Sequence, residues 1–286
     1  MPDARGTLYV VATPIGNLGD VTLRAIETLR AVPLIAAEDT RIARRLLARH
    51  EIPTRLTSYH AQSGKARLDR LLDHLRGGSD LALVTDAGTP AVSDPGDELV
   101  GAWGAEGGRV VPIPGPSAVL AAVSATAVAG PRWSFEGFLP RTGRERRERL
   151  QRIAGDDRGT VLFEAPTRLA ATLRDLVATC GGDRPAAVCR ELTKLHEQIA
   201  RGSLDELVAA VGSGDIPARG EMVLVIGPAT STPMSRDEAA AALADGRQQV
   251  DGLVAGGLNR SEAARRVAAA TGLSRRVLYR EAPERE

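Results

Sequence analysis

L-Y-V-V-A-T-P-I-G-N-L-G-D (8–20) starts as an apolar run, Leu8–Ala12, and ends as a loop with one proline and two glycines. The same change recurs where Asp80–Thr85 runs into D-A-G-T-P (86–90) and Arg109–Ile113 into P-G-P-S-A (114–118). A helix is expected after each loop. Right-handed βαβ units place all such loops at one edge of a parallel sheet. Glycine lets the backbone approach a ligand closely, and helix N-termini offer unpaired N–H groups. Three such loops on one edge predict a site for an adenosine-bearing small molecule.

Outward from these loops, the pattern predicts helix Val21–Ala31 capped by Asp20, strand Leu34–Ala37 and helix Ile42–His50. A strand near Arg55–Tyr59, helix Lys65–Arg76 and a small-residue helix Ala118–Ala127 complete a mostly parallel, doubly covered sheet. A second α/β unit of more antiparallel character follows Gly130-Pro131. It comprises strand Trp133–Phe138, an arginine-rich helix, strand Thr160–Phe163, helix Thr167–Thr179, strand Ala186–Arg190, helix Ser203–Val211 and strand Glu221–Ile226. Gly227–Pro233 reads as a linker, and Arg236–Glu286 as an alanine-rich helical tail. There Ser261 and Ser274 are expected caps around a turn at Gly272, a helix-turn-helix pattern that many small helical hairpins share. The expected fold class is α/β, with α/β domains at 1–131 and 132–230 and a small helical domain at 231–286.

At 286 residues, 43% hydrophobic and 26% charged, the chain has the composition of a soluble globular protein with two sizeable cores. Cys180 and Cys189 make neither a disulfide framework nor a zinc site, and His50, His60, His74 and His196 lack metal-ligand spacing. No metal is expected. No targeting segment is expected before Thr7, and no apolar run reaches membrane-spanning length, so the expected location is the cytoplasm. The net charge of +1 names no partner, but arginine is unevenly placed. Seven arginines against three glutamates lie between Arg132 and Arg152, and six against one between Leu258 and Arg280. Such clusters suit phosphate. Taken alone they suit better a solvated helix face with Glu/Arg pairs, as in R-E-R-R-E-R (144–149). Neither G-x-G-x-x-G nor a Walker A sequence occurs, which argues against conventional NAD or ATP sites.

Six ordered motifs carry a resemblance: T-P-I-G-N-L-G-D-V-T (13–22), A-E-D-T-R (37–41), V-T-D-A-G-T-P-A-V-S-D-P-G (84–96), P-G-P-S-A (114–118), F-E-G-F-L-P-R (135–141) and R-E-L-T-K-L-H-E (190–197). They closely resemble the ribosomal RNA small-subunit methyltransferase I family, a branch of the tetrapyrrole-methylase superfamily. The resemblance spans roughly Thr7 to Gly227, and the tail matches the family's extra small domain more loosely. It implies two tetrapyrrole-methylase-type α/β domains with S-adenosyl-L-methionine in a trough between them. It also implies a homodimer that methylates the ribose 2′-oxygen of a cytidine in the decoding region of 16S rRNA, with free rRNA or the 30S subunit as partner. By position, the implied cofactor contacts are Pro14, Asp86, Ala87, Gly88, Ala91, Ser117, Ala118, Ala165 and Leu192. D-A-G-T-P stands here where the porphyrin enzymes have a G-D-P loop.

A ribose hydroxyl is a poor nucleophile, so a base or a charge that favours the alkoxide should help. Lys194, His196 and Glu197 are the candidates; the alternative is a Glu191–Lys194 ion pair at i,i+3 with His196 at the surface. Asn17, Asp39 and Arg41 are candidate substrate contacts, Arg41 for phosphate and Asp39 for ribose. The alternative there is an Asp/Thr helix cap with a local salt bridge. Arg141, Arg144 and Arg147, with Arg146, are candidate guides for the RNA backbone, and Tyr9, Tyr59 or Phe138 for base stacking. The rival readings are a methyltransferase acting on a small tetrapyrrole and a non-catalytic RNA-associated binding protein.

Overall fold

The computed structural model describes residues 5–229, 236–271 and 273–279. The chain divides into two compact units, Met1–Ala229 and Thr230–Glu286.

The first unit holds two five-stranded sheets. Strands β1 (Thr7–Val11), β2 (Leu34–Ala37), β3 (Arg55–Ser58), β4 (Leu81–Val84) and β5 (Arg109–Ile113) pair in the order β3-β2-β4-β1-β5, every pair parallel. Alternation along the strands sorts side chains to two faces. Ile35, Ala82, Val84 and Val11 meet Ala25 and Leu29 of α1 (Leu23–Ala31) and Leu46 and Leu47 of α2 (Thr40–Arg49). Leu8, Ala36, Leu81 and Leu83 meet the leucines of α3 (Lys65–Arg76) and Leu99 and Trp103 of α4 (Asp97–Ala105). The strands that feed the three glycine/proline loops, β4, β1 and β5, are neighbours, so those loops share the carboxyl edge as expected.

The second sheet runs β6-β7-β10-β8-β9, from β6 (Trp133–Phe138), β7 (Gly159–Glu164), β8 (Pro185–Arg190), β9 (Gln198–Ser203) and β10 (Met222–Ile226). Only β6–β7 is parallel; the other pairs are antiparallel. Helices α6 (Gly143–Gly155), α7 (Leu169–Cys180) and α8 (Leu204–Ser213) cover one face. The other face packs Val161, Ala187, Cys189, Val223 and Val225 on Val119 and Ala122 of α5 (Ala118–Thr126). Thus the helix after the third loop joins the two sheets, and the loop edge of the first faces the second.

Several local expectations are corrected. The first helix starts at Leu23 because Thr22, not Asp20, caps it: its Oγ1 accepts the Ala25 N–H at 3.1 Å. Asp20 instead ends a short 3-10 turn, Leu18–Asp20, capped by Asn17. Strand β9 was not anticipated, since Q-I-A-R-G-S has no β-branched run, and its ladder with β8 holds it in place. Gly227 belongs to the folded unit rather than to a linker: its carbonyl accepts from Arg184 Nε at 2.8 Å and its N–H donates to the Pro185 carbonyl at 2.7 Å. Residues 230–233 of the expected linker lie outside the described residues.

In the second unit, α9 (Arg236–Ala255), α10 (Arg260–Thr271) and α11 (Arg275–Tyr279) enclose Val250, Ala263, Ala264, Val267 and Leu278. Asn259 caps α10 in place of Ser261, taking the Glu262 N–H at 2.9 Å. The Ser261 hydroxyl accepts from Arg275 instead. Ser274 precedes α11, and its carbonyl accepts from Val277 and Leu278. The expected turn residue Gly272 lies outside the described residues. Among the described residues no helix is long and apolar enough to cross a membrane.

Candidate active site

The three loops are stitched together at the sheet edge. Thr13 and Gly88 exchange backbone hydrogen bonds at 2.8 and 3.1 Å, and the Thr13 hydroxyl donates to the Thr85 carbonyl at 3.1 Å. Gly88 has φ 86°, a left-handed conformation that suits glycine. A Cβ there would lie 3.5 Å from Ile15 Cγ2. Gly115 packs more closely still on the residue after β1, its missing Cβ position being 3.1 Å from the Ala12 Cβ. Ser117 caps α5 and leaves the first-turn N–H groups of Ala118 and Val119 without helical partners.

Between this edge and the second sheet lies a cavity of about 380 Å³. Ile15, Ala87, Gly88, Ser117 and Ala118 form one wall, and Phe163, Glu164, Ala165, Glu221 and Met222 the other. Two further features close it. A bulge in β6 at Gly137 (φ 61°) brings Phe138 to the wall, its ring centroid 5.5 Å from that of Phe163. The long loop after β4 adds Thr89, Val92, Ser93 and Asp94. Ala91 and Ser93 there hold φ of 65° and 64°, a strained conformation for residues with a Cβ.

Five of the nine expected cofactor positions line this cavity: Ala87, Gly88, Ser117, Ala118 and Ala165. Leu192 lines a small recess that shares Ile15, Ala118, Glu221 and Val223 with it. Pro14 and Asp86 line a separate cavity of about 280 Å³ against α2. Ala91 lines none of them, although it shapes the strained loop.

The acidic side of the site is wired through backbone and hydroxyl groups. Thr85 donates its hydroxyl to Glu38 Oε2 at 2.7 Å, the Asp86 N–H also reaches Glu38 Oε2, and the Asp39 N–H donates to Asp86 Oδ1 at 2.9 Å. Burial pushes the Asp94 carboxyl up to about 6, helped by the nearby charges of Glu38 and Asp86. Burial likewise raises Asp86. Asp39 both caps α2 and grips Arg41, whose side-chain hydrogen bonds pull the Asp39 carboxyl down to about 2. The cap-with-salt-bridge arrangement is therefore formed. Asn17 is occupied as a cap to Gly19.

The segment R-E-L-T-K-L-H-E packs against the first loop, where a Cβ on Gly16 would overlap Lys194 Cγ at 2.4 Å. Lys194 Nζ pairs with Glu191 Oε1 at 2.9 Å and with Glu221 Oε2 at 3.2 Å. Glu197 accepts the Thr193 N–H at 2.6 Å, and the exposed His196 contributes its carbonyl to Arg190. None of the expected catalytic trio lines the cavity. Lys194 reaches it only through Glu221. The arginine-rich helix is mixed in role. Arg144 pairs with Glu148, and Arg146, 8% exposed, is held by Asp175, Thr172 and the Pro140 carbonyl. Arg141 and Arg147 are exposed.

Asp94 was not singled out in the sequence, although it stands in the quoted S-D-P-G. The available signal was loop length: Asp86–Gly96 exceeds the roughly two to six residues of an ordinary βα connection, and long loops carry function.

The family model for tetrapyrrole (corrin/porphyrin) methylases matches residues 7–208. Among solved structures, a cobalt precorrin-4 methyltransferase covers 77% of this chain and 94% of its own at TM-score 0.61 and 21% identity. A uroporphyrin-III C-methyltransferase from Thermus thermophilus, complexed with S-adenosylhomocysteine, gives TM-score 0.56 at 21% identity, over 78% of this chain and 97% of its own. These two likenesses establish the fold. Likeness in sequence is far higher to proteins named ribosomal RNA small subunit methyltransferase I. The one from Synechocystis sp. is 47% identical over 274 residues, 96% of both chains, and that from Pseudomonas aeruginosa 41% over 281 residues, 98% of both. With paired α/β sheets, three stitched loops and near full-length identity of this order, the chain belongs to the ribosomal RNA small subunit methyltransferase I family of the tetrapyrrole methylases.

Proposed function

We propose that this protein is an S-adenosylmethionine-dependent methyltransferase of small-subunit ribosomal RNA, acting on the ribose 2′-hydroxyl of a cytidine in the decoding region. The observation that carries the reading is the three-loop cavity in a chain whose full-length relatives bear that name. The residues fit the cofactor. The cavity is of small-ligand size and mixes apolar walls (Ile15, Val119, Phe163, Met222) with helix first-turn N–H groups and the Gly88 cradle. Ala87, Gly88, Ser117, Ala118 and Ala165 would hold it, and Leu192 would back it. When bound, S-adenosylmethionine supplies an electrophilic methyl group.

The protein's part is to orient the ribose, exclude water and take a proton. Three carboxylates line the cavity. Glu164 is fully buried and occupied by Arg168, Thr172 and the Ala165 N–H. Glu221 is held by Lys194. Asp94 lines the cavity without an ion-pair partner among the described residues and its carboxyl is raised to about 6, which makes it the proposed acceptor of the 2′-hydroxyl proton. Lys194 acts through Glu221 as a positioning residue. Arg41, fixed by Asp39, offers its remaining N–H edge to a phosphate. The helical unit adds RNA contacts through its exposed Arg266 and Arg276. A cytoplasmic homodimer acting on the 30S subunit completes the reading, and sedimentation of the purified protein tests the dimer.

The direct test supplies methyl-labelled S-adenosylmethionine with undermethylated small subunits, naked 16S rRNA and uroporphyrinogen. Label recovered as 2′-O-methylcytidine is expected. Label only in the tetrapyrrole, or in none of the three, overturns the reading.

A further inference from the structure

The cavity does not end at Phe138. Phe138 and Ala165 are shared with a cleft of about 690 Å³ that is lined further by Arg141, Arg146, Arg168 and Asp175. Arg141, Arg146 and Asp175 are shared in turn with a shallower depression of about 380 Å³ that reaches Gly143 and Arg147. The three depressions form one path from the cavity outward between β6, α6 and α7.

Its chemistry is graded along its length. At the inner end, Phe138 is 51% exposed, its ring in tilted contact with that of Phe163. In the middle, Arg146 and Arg168 are neutralised by Asp175 and Glu164 and shape the floor. Farther out, Arg141 and Arg147 are exposed and have no ion-pair or hydrogen-bond partner among the described residues. A flat aromatic followed by two free guanidinium groups matches a base followed by its backbone phosphates. An apolar peptide would need a hydrophobic floor, which arginines and Asp175 do not provide.

We infer that this path is a single-strand RNA track: a nucleobase stacks on Phe138 and the flanking phosphates run over Arg141 and Arg147. The inference rests on the rRNA reading and adds which face the strand takes. Arg144 of the same helix is outside the track, its guanidinium engaged by Glu148. The track also explains the β6 bulge, because the register shift between Phe135 and Phe138 turns the outer ring to the junction of the two depressions.

The test measures binding of a single-stranded RNA of about 12 nucleotides across a salt series, beside S-adenosylhomocysteine affinity. For the Arg141→Gln/Arg147→Gln double variant, the slope of log affinity against log salt should fall by about 1.4, roughly 0.7 per lost phosphate contact. Its S-adenosylhomocysteine affinity should match wild type, which shows that the fold is intact. Phe138→Leu should weaken RNA binding about tenfold at unchanged slope, and Phe138→Trp should restore it. RNA affinity and slope equal to wild type in the arginine variant would overturn the track, as would a loss equal at every salt concentration. If wild-type protein transfers no methyl group to RNA, the functional reading fails; if it does and the variants bind normally, only the track fails.

Discussion

Asp94 is the proposed base, a cavity-lining carboxyl that burial raises to about 6. Its carboxylate must be ionised to take a proton, so the transfer rate should rise with pH up to about 6 and then level off. Asp94→Asn should lower kcat by about 10²–10⁴-fold while leaving S-adenosylhomocysteine affinity nearly intact. A pH profile and single-turnover rates would reveal it, and an unchanged rate would remove Asp94 from the mechanism. The same group sets a stability expectation. Its folded-state titration lies above the unfolded value, so its contribution is fully present below about pH 4 and is lost as pH rises through about 6. At pH 7 the charged, half-buried Asp94 is therefore a liability. Asp94→Asn should stabilise the protein there by about 1 kcal/mol after solvent screening, with the gain vanishing near pH 4. Thermal melts at the two pH values decide this. Gly88→Ala puts a Cβ at φ 86° and should cost about 1–2 kcal/mol and weaken S-adenosylhomocysteine binding, as read by urea unfolding and calorimetry.

At the scale of elements, one buried polar chain ties β7 to α6 and α7. Arg168 and Thr172 bind Glu164, Arg146 donates to Thr172 at 3.0 Å, and Asp175 holds Arg146 at 2.7 Å. Glu164 has no exposed side-chain surface, so removing it takes the acceptor from Thr172 and the ion pair from Arg168, which keeps only the Leu139 carbonyl. Glu164→Ala should destabilise the first unit by about 3–5 kcal/mol. Because Thr172 is common to both halves of the chain, Arg146→Ala and Glu164→Ala should couple by about 0.5–3 kcal/mol in a double-mutant cycle. Additive effects in urea unfolding would mean that the two halves act independently. This chain also places Ala165 and Phe138, on the strand ends it braces, at the cavity wall.

For the whole molecule, two compact units with separate cores predict two unfolding transitions. Among its described residues the helical unit closes on the buried side chains Val250, Ala263, Ala264, Val267 and Leu278, a small core, and should melt first. S-adenosylhomocysteine at about one hundred times its Kd should stabilise the α/β unit by about 2.7 kcal/mol and leave the other transition unmoved. Calorimetry of the full chain with and without the ligand gives the answer. A single transition, or both transitions shifting together, would show that the units unfold as one.

Strand runs such as Leu8–Ala12 and Arg109–Ile113, and the loops after them, were legible in the sequence because local pattern sets them: apolar continuity makes a doubly covered strand, and glycine and proline end it. The parallel order and the shared loop edge followed from the handedness of βαβ units. Helix α3 was legible to its ends for the same local reason, with leucines at helical spacing and Gly77 beyond them. What local pattern does not contain was decided by tertiary structure. Edge strand β9 exists through its ladder with β8. For Lys194, His196 and Glu197 the sequence left two readings, catalysis or a Glu191–Lys194 pair with His196 at the surface; the structure forms that pair, and only the fold adds Glu221 to Lys194. Asp94 looked like one more loop carboxylate. Only the fold buries it near Glu38 and Asp86, and burial among like charges, a property of packed distance rather than of sequence order, is what raises its carboxyl to about 6 and makes it the proposed base.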